Sequence, residues 1–223
     1  MHRLQLSSTR SFFCLLLLLG SVGLPGAAAA TSFECITGNS AADCAAGETQ
    51  LSLTVSDAGD GQVLFTLTNE GPDAMTVANL YVDDASAILD GIASIDGSSG
   101  VHFSQGGSPP VLPGGNGPTY DFEPSFRVRA DNPAPKHGVS PGESLAILFD
   151  LAGMATFADL LAAMADGDTT DASLRVGLHV ISFESGGSES FIAVPVPEPG
   201  TALLVAAGLL GMALQRRRPT RSC

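Results

Sequence analysis

Three histidines in the central chain, His102, His137 and His179, are the side chains best suited to proton transfer or metal binding near neutral pH. None stands in an HExxH or His-x-His spacing, so a zinc hydrolase has no ligand set. No G-x-S-x-G elbow is present, and the serines of Gly97–Ser98–Ser99–Gly100 and Gly187–Ser188–Glu189 read as turn residues. Lys136 is the sole lysine and no phosphate-binding loop surrounds it. His179, between Leu178 and Val180, reads as a satisfied strand histidine. These residues predict a protein with no catalytic site, and they set an exported hydrolase behind every non-enzymatic reading.

Oxygen ligands are better supplied. Asp166, Asp168 and Asp171 occupy positions 1, 3 and 6 of a short loop and are the candidate calcium ligands. Position 12 of that loop is Gly177 where an EF-hand needs a bidentate Glu, so the site would be an irregular surface one. The alternative is capping of a helix by Gly167 followed by a polar turn. Asp57, Asp60, Asp83 and Asp84 form a second acidic set, provided their loops share one end of the fold. Calcium is thus the one cofactor the sequence suggests. Sugar stacking is poorly supplied: there is no Trp, and the tyrosines are Tyr81 and Tyr120. Polar or calcium-bridged sugar binding stays open.

Two cysteines lie in the central chain, Cys35 and Cys44. An even pair in an oxidising compartment reads as a disulfide. It lacks C-x-x-C spacing and a nearby His, which argues against metal or redox chemistry.

The elements around these residues read as short strands and turns. Leu51, Leu53 and Val55 alternate with polar residues, as do Val63, Phe65 and Leu67 across a Gly/Asp turn, which predicts a hairpin. Further strands are expected over 75–83, over 87–95 with a bulge at Gly91, over 101–104, and over 120–129 at an edge because of Pro124. Residues 145–149, apolar on both faces, suggest a central strand, and strands are also read over 174–180 and 191–194. Residues 105–119, rich in Gly and Pro, read as loop. Phe157, Leu160, Leu161 and Met164 recur at helical spacing behind Thr156, so one helix is expected there. The sum is a mainly β protein, an antiparallel β-sandwich with one short helix.

The 223 residues hold 10 Lys+Arg against 23 Asp+Glu, a net charge of −13. An anionic chain offers no basic stripe to phosphates, so nucleic acid is excluded as a partner. Six of the ten basic residues fall at the two ends. At the first end, Arg3 and Arg10 precede the apolar run Phe12–Leu19 as a positive n-region, and Ala27–Ala30 follow Pro25–Gly26. This is the pattern of a signal peptide over residues 1–30, cut by signal peptidase after Ala29 or Ala30. At the other end, Pro195–Gly200 is stiff and non-helical, residues 201–214 are apolar, and Arg216, Arg217 and Arg218 follow. Fourteen residues of helix reach about 21 Å, short for a hydrocarbon core of about 30 Å, so the span would thin the bilayer or use snorkelling flanks. The arginines act as a stop-transfer element on the cytoplasmic side and leave the body outside.

The tripeptide Pro197–Glu198–Pro199, the adjoining apolar stretch and the arginine cluster together resemble a PEP-CTERM sorting domain of exported proteins in Gram-negative bacteria. The resemblance implies recognition by exosortase, a membrane-embedded cysteine transpeptidase, and cleavage near the tripeptide. It also implies release or attachment at the cell surface in species that make exopolysaccharide. Residues 157–191 are similar to a stretch common before such tails, which implies a fold and no activity. The organisation expected is therefore a signal peptide over 1–30, a β-sandwich ectodomain over 31–194 and a sorting signal over 195–223. The expected function is a structural or adhesive one at the cell surface or in the matrix, with exopolysaccharide as partner and a calcium- or carbohydrate-binding module as alternative.

Overall fold

The computed structural model describes residues 28–117, 119–165 and 173–195. In chain order the elements are β1 (Ala28–Cys35), α1 (Ala41–Gln50), β2 (Leu51–Gly59), β3 (Gln62–Asn69), β4 (Thr76–Asp84), β5 (Leu89–Gly97), β6 (Phe103–Gln105), β7 (Phe126–Ala130), α2 (Ala134–His137), β8 (Ser144–Leu151), α3 (Phe157–Ala165), β9 (Leu174–Ile181) and β10 (Glu189–Pro195). The strands form one antiparallel sheet in the order β5-β8-β3-β2-β1-β10-β9-β4-β7-β6. Its two edge strands come near each other, so the sheet rolls into an almost closed barrel. The mainly antiparallel β fold is as expected, and its two layers are halves of a single sheet.

Period-2 patterning builds this barrel. Leu51, Leu53 and Val55 of β2 face Phe65 and its neighbours on β3, with Leu53 opposite Leu67 and Val55 opposite Phe65. Leu145, Ile147 and Phe149 of β8 and Val176, Leu178 and Val180 of β9 complete the inner face, all fully buried. The Phe65 and Phe149 rings sit 5.0 Å apart, and Phe126 lies 5.5 Å from Phe149. The β2–β3 turn runs through left-handed backbone at Gly59, Asp60 and Gly61, which Gly tolerates freely and Asp more readily than most residues. The bulge expected at Gly91 is present, since Leu89 pairs with Leu151 and Gly91 already pairs with Asp150.

Several elements depart from the sequence reading. β7 starts only at Phe126, past Pro124, and lies between β4 and the edge strand β6. β8 is next to the edge strand β5; Ala146 and Leu148 on its outer face are only half-buried. β1 and α1 have no counterpart in the periodicity. Ala28–Ala30 pair with Thr54–Ser56 although they also carry the small-residue pattern of a cleavage site. A chain beginning at Thr31 keeps the pairs of Thr31 with Leu53 and with Pro195. α1 is capped by Ser40, whose hydroxyl accepts from the Asp43 amide.

α3 matches expectation. Thr156 and Asp159 cap it reciprocally: the Asp159 carboxylate accepts from the Thr156 amide at 2.9 Å, and the Thr156 hydroxyl accepts from the Asp159 amide at 3.3 Å. The Thr156 hydroxyl also donates to the Asp159 carboxylate at 2.7 Å, and this bond, with that from the Thr156 amide, holds the carboxyl below its ordinary range. Phe157, Leu160, Ala163 and Met164 reach the main core.

The segment joining β6 to β7 is more than a loop. It folds across the outer face of β4, β9 and β10 and makes a second small core from Tyr81, Leu112, Phe122 and Ile192. This overlay explains why every residue of β4 is buried, on both faces. Gly177 of β9 is required beneath it: a Cβ there would lie 2.7 Å from Leu112 Cδ2 and 3.1 Å from Phe122 Cζ.

Strand directions sort the connections onto two rims. β1 begins and β10 ends on one rim, together with the β2–β3 turn, the β4–β5 turn and the β8–α3 connection. The opposite rim carries the disulfide loop, the β5–β6 and β9–β10 turns and the β7–β8 connection.

Candidate functional site

Cys35 and Cys44 form the expected disulfide, with Cα atoms 5.4 Å apart. It joins the end of β1 to α1. Beside it sits Glu189, the first residue of β10 and 1% exposed. Its carboxylate accepts from the Ser40 amide at 2.6 Å, the Asn39 amide at 3.1 Å and the Thr37 hydroxyl. Backbone donors of the 36–40 loop thus meet a buried charge that needs them. Glu48 accepts from the Cys35 amide at 3.0 Å, and α1 lies so close to β10 that a Cβ at Gly47 would stand 2.2 Å from Phe191 Cζ. Cys35, Cys44 and Glu189 are the one trio among the described residues with donor atoms close enough for a metal. The two sulfurs are bonded to each other, and a metal ligand must be a thiolate. The arrangement staples the first strand to the last.

A second polar centre pins the overlay. Arg175 on β9 lies directly opposite Asp83 on β4, and the two form a buried ion pair with side chains 10% and 5% exposed. The guanidinium also donates to the carbonyls of Tyr120 and Asp121, the latter at 2.7 Å, and its carbon lies 5.3 Å from the Phe122 ring centre. Asp83 accepts in addition from the Glu123 amide at 3.2 Å. Tyr81 donates to the Pro109 carbonyl at 3.2 Å, and burial pushes its hydroxyl up to about 12, against an opposing pull from Arg127.

The acidic sets resolve as follows. Asp57, Asp60, Asp83 and Asp84 do come to one rim. Asp83 is committed to Arg175, Asp84 accepts from the Ile88 and Leu89 amides, and Asp57 accepts from the Gly59 amide. They form no ligand cluster among the described residues. Asp166, Asp168 and Asp171 lie outside the described residues.

Among the described residues no histidine is seen hydrogen-bonded to a hydroxyl that solvent can reach. His102 and His137 stack edge to face at 5.3 Å, and His137 contacts the Asp131 carbonyl. His179 is 3.5 Å from the Ser190 hydroxyl, but Ser190 is fully buried. Burial lowers the His179 pKa, opposed by a hydrogen bond with the Glu189 backbone. Two open clefts mark the surface. One of about 500 Å³ lies along the overlay between Val111, Phe122, Glu123 and Arg127; another of about 540 Å³ lies by Asp96, Ser99, His102 and Asp131. Sequence reasoning missed Glu189 and Arg175, because each is recognisable only through the backbone groups it binds.

Pro197, Glu198, Pro199, Arg216, Arg217 and Arg218 lie outside the described residues. The fold does place the point just before them: Pro195, the last residue of β10, pairs with Thr31, the fourth residue of β1. Among the described residues no helix is long and apolar enough to cross a membrane. No curated protein and no solved structure matches the chain. Residues 195–218 match the PEP-CTERM protein-sorting motif, which implies an exported protein anchored in the membrane and then processed by exosortase. The last residue of β10 is therefore also the first of the matched motif, and the chain carries a PEP-CTERM protein-sorting motif at residues 195–218.

Proposed function

We propose that this protein is a non-enzymatic component of the cell surface or extracellular matrix, with a structural or adhesive role in association with exopolysaccharide. The observation that carries the reading is the sorting motif at residues 195–218, attached without spacer to an almost closed β barrel. Support comes also from the body itself. Two of its buried polar centres, Glu189 and the Asp83–Arg175 pair, are spent on holding the fold together. On this reading signal peptidase removes residues 1–30, exosortase acts near Pro197–Glu198–Pro199, and Arg216–Arg218 halt transfer. The body then stays on the cell surface or leaves the cell.

Intact mass of the protein from its own cells tests both cuts and the disulfide at once. Material lacking residues 1–30 and the residues beyond the tripeptide is expected, and retention of the tail when exosortase is deleted. A mass that includes both ends, or a tail lost equally without exosortase, overturns the reading. Binding to purified exopolysaccharide with and without calcium tests the role: retention independent of calcium supports the structural one, and calcium-dependent retention favours a calcium-bridged sugar module.

A further inference from the structure

The two cleavage regions converge on one strand pair. Thr31, the first residue after the expected signal peptide, pairs with Pro195, the first residue of the matched sorting motif. β1 and β10 are neighbours in the middle of the sheet, and their free ends leave the same rim. From Pro195 to Pro199 is four residues, which span about 14 Å at full extension. From Pro195 to the apolar stretch at Thr201 is six residues, about 20 Å at full extension. An enzyme that cuts near the tripeptide must bring its reactive centre within that reach of a folded strand end. β10 is held on both sides, by β1 and by β9, so fraying to lengthen the reach breaks two ladders.

We infer that the rim formed by the start of β1, the end of β10 and the β2–β3 turn is a docking face for the membrane-embedded processing enzyme, which therefore meets the folded barrel as well as the tripeptide. This rests on the proposed function, since it presupposes processing by exosortase. The enzyme is the occupant because the chain leaving Pro195 must enter it within a few residues. The opposite rim, with the disulfide loop and the β9–β10 turn, faces away from the membrane while the chain is anchored. Display is then polar: the face with His102 and Asp131 points outward, and the face with the β2–β3 turn points to the cell.

A photoreactive residue placed in the full chain in native cells tests this. Ala58→p-benzoylphenylalanine puts the probe on the exposed β2–β3 side of the rim, and Glu184→p-benzoylphenylalanine puts it on the exposed β9–β10 turn opposite. At least tenfold more adduct with exosortase is expected from position 58 than from 184. A twelve-residue Gly/Ser spacer inserted after Pro195 should bring the two yields together while leaving the Thr31 pair intact. Equal yields without the spacer overturn the docking face, as does absence of adduct from both positions while the tail is still removed in an exosortase-dependent way. A tail whose removal does not depend on exosortase overturns the functional reading itself, and intact mass distinguishes that outcome.

Discussion

Replacing Arg175 should open the overlay from the barrel, and the cost can be worked from its contacts. Its guanidinium serves Asp83 and two carbonyls of the segment between β6 and β7. Its Nε has no partner, so the site is already imperfectly satisfied. Arg175→Met leaves the Asp83 carboxylate buried with only the Glu123 amide as donor. Breaking a buried pair from one side costs about 3–5 kcal/mol, because the partner's charge remains. Asp83→Leu strands the guanidinium and falls in the same range. The double variant leaves neither charge behind and should cost no more than either single change. The coupling energy between the two sites is then at least about 3 kcal/mol. Urea unfolding of the mature, oxidised body measures it. With a slope of about 2 kcal/mol per molar, each single variant should lower the midpoint by about 1.5–2.5 M. Arg175→Lys keeps the charge and loses the planar fork, so it should expose residues 106–125 to protease while retaining part of the stability. Single changes that add within about 0.5 kcal/mol, or cost below about 1 kcal/mol each, would mean a solvent-screened pair and refute the reasoning.

Gly177→Ala places a methyl against Leu112 and Phe122 and should cost about 1–3 kcal/mol, read as a lower melting temperature with faster proteolysis of the overlay. Cys35→Ala with Cys44→Ala releases a cross-link between residues nine apart and should cost about 2.7 kcal/mol by loop entropy. Denaturant midpoints with and without Glu189→Gln then show whether the staple holds the loop without the sulfurs: a smaller loss for the disulfide when Glu189 is intact is the expected result. The Tyr81 phenol, raised by burial to about 12, ionises more readily in the unfolded chain, whose value lies near 10. Stability should therefore fall as pH rises from 10 toward 12. Ultraviolet titration should show an ionisation near pH 12 that Tyr81→Phe removes.

The parts of the fold legible in the sequence are those in which one face repeats. The β2–β3 hairpin, β9 and α3 each bury alternate or helically spaced side chains against a single core, and their patterns say so. β1 was hidden because Ala28–Ala30 suit a cleavage site as well as a strand, and small side chains carry no periodicity. α1 was hidden because its apolar residues are alanines, and its closest packing uses Gly47, which has no side chain to count. The overlay was hidden for a different reason: Leu112 and Phe122 are isolated among Gly and Pro, and only the return of the chain across β9 gives them neighbours. In the same way Glu189 lies 149 positions from Ser40, which its carboxylate binds, so no local pattern announces it.

These long separations bear on how export and folding fit together. β1 pairs with β2, its near neighbour in the chain, and with β10, the last of the described strands. The barrel cannot close until β10 arrives, and contacts between such distant segments form late because loop closure precedes their reward. The residue that ends β10 also begins the sorting motif, so a chain halted at that motif has just delivered its final strand. Glu189 begins β10 and its carboxylate accepts from the 36–40 loop, so this end of the sheet is complete only when both segments are in place. The pairings of β10 end at Pro195, so a cut beyond that residue leaves both of its ladders intact.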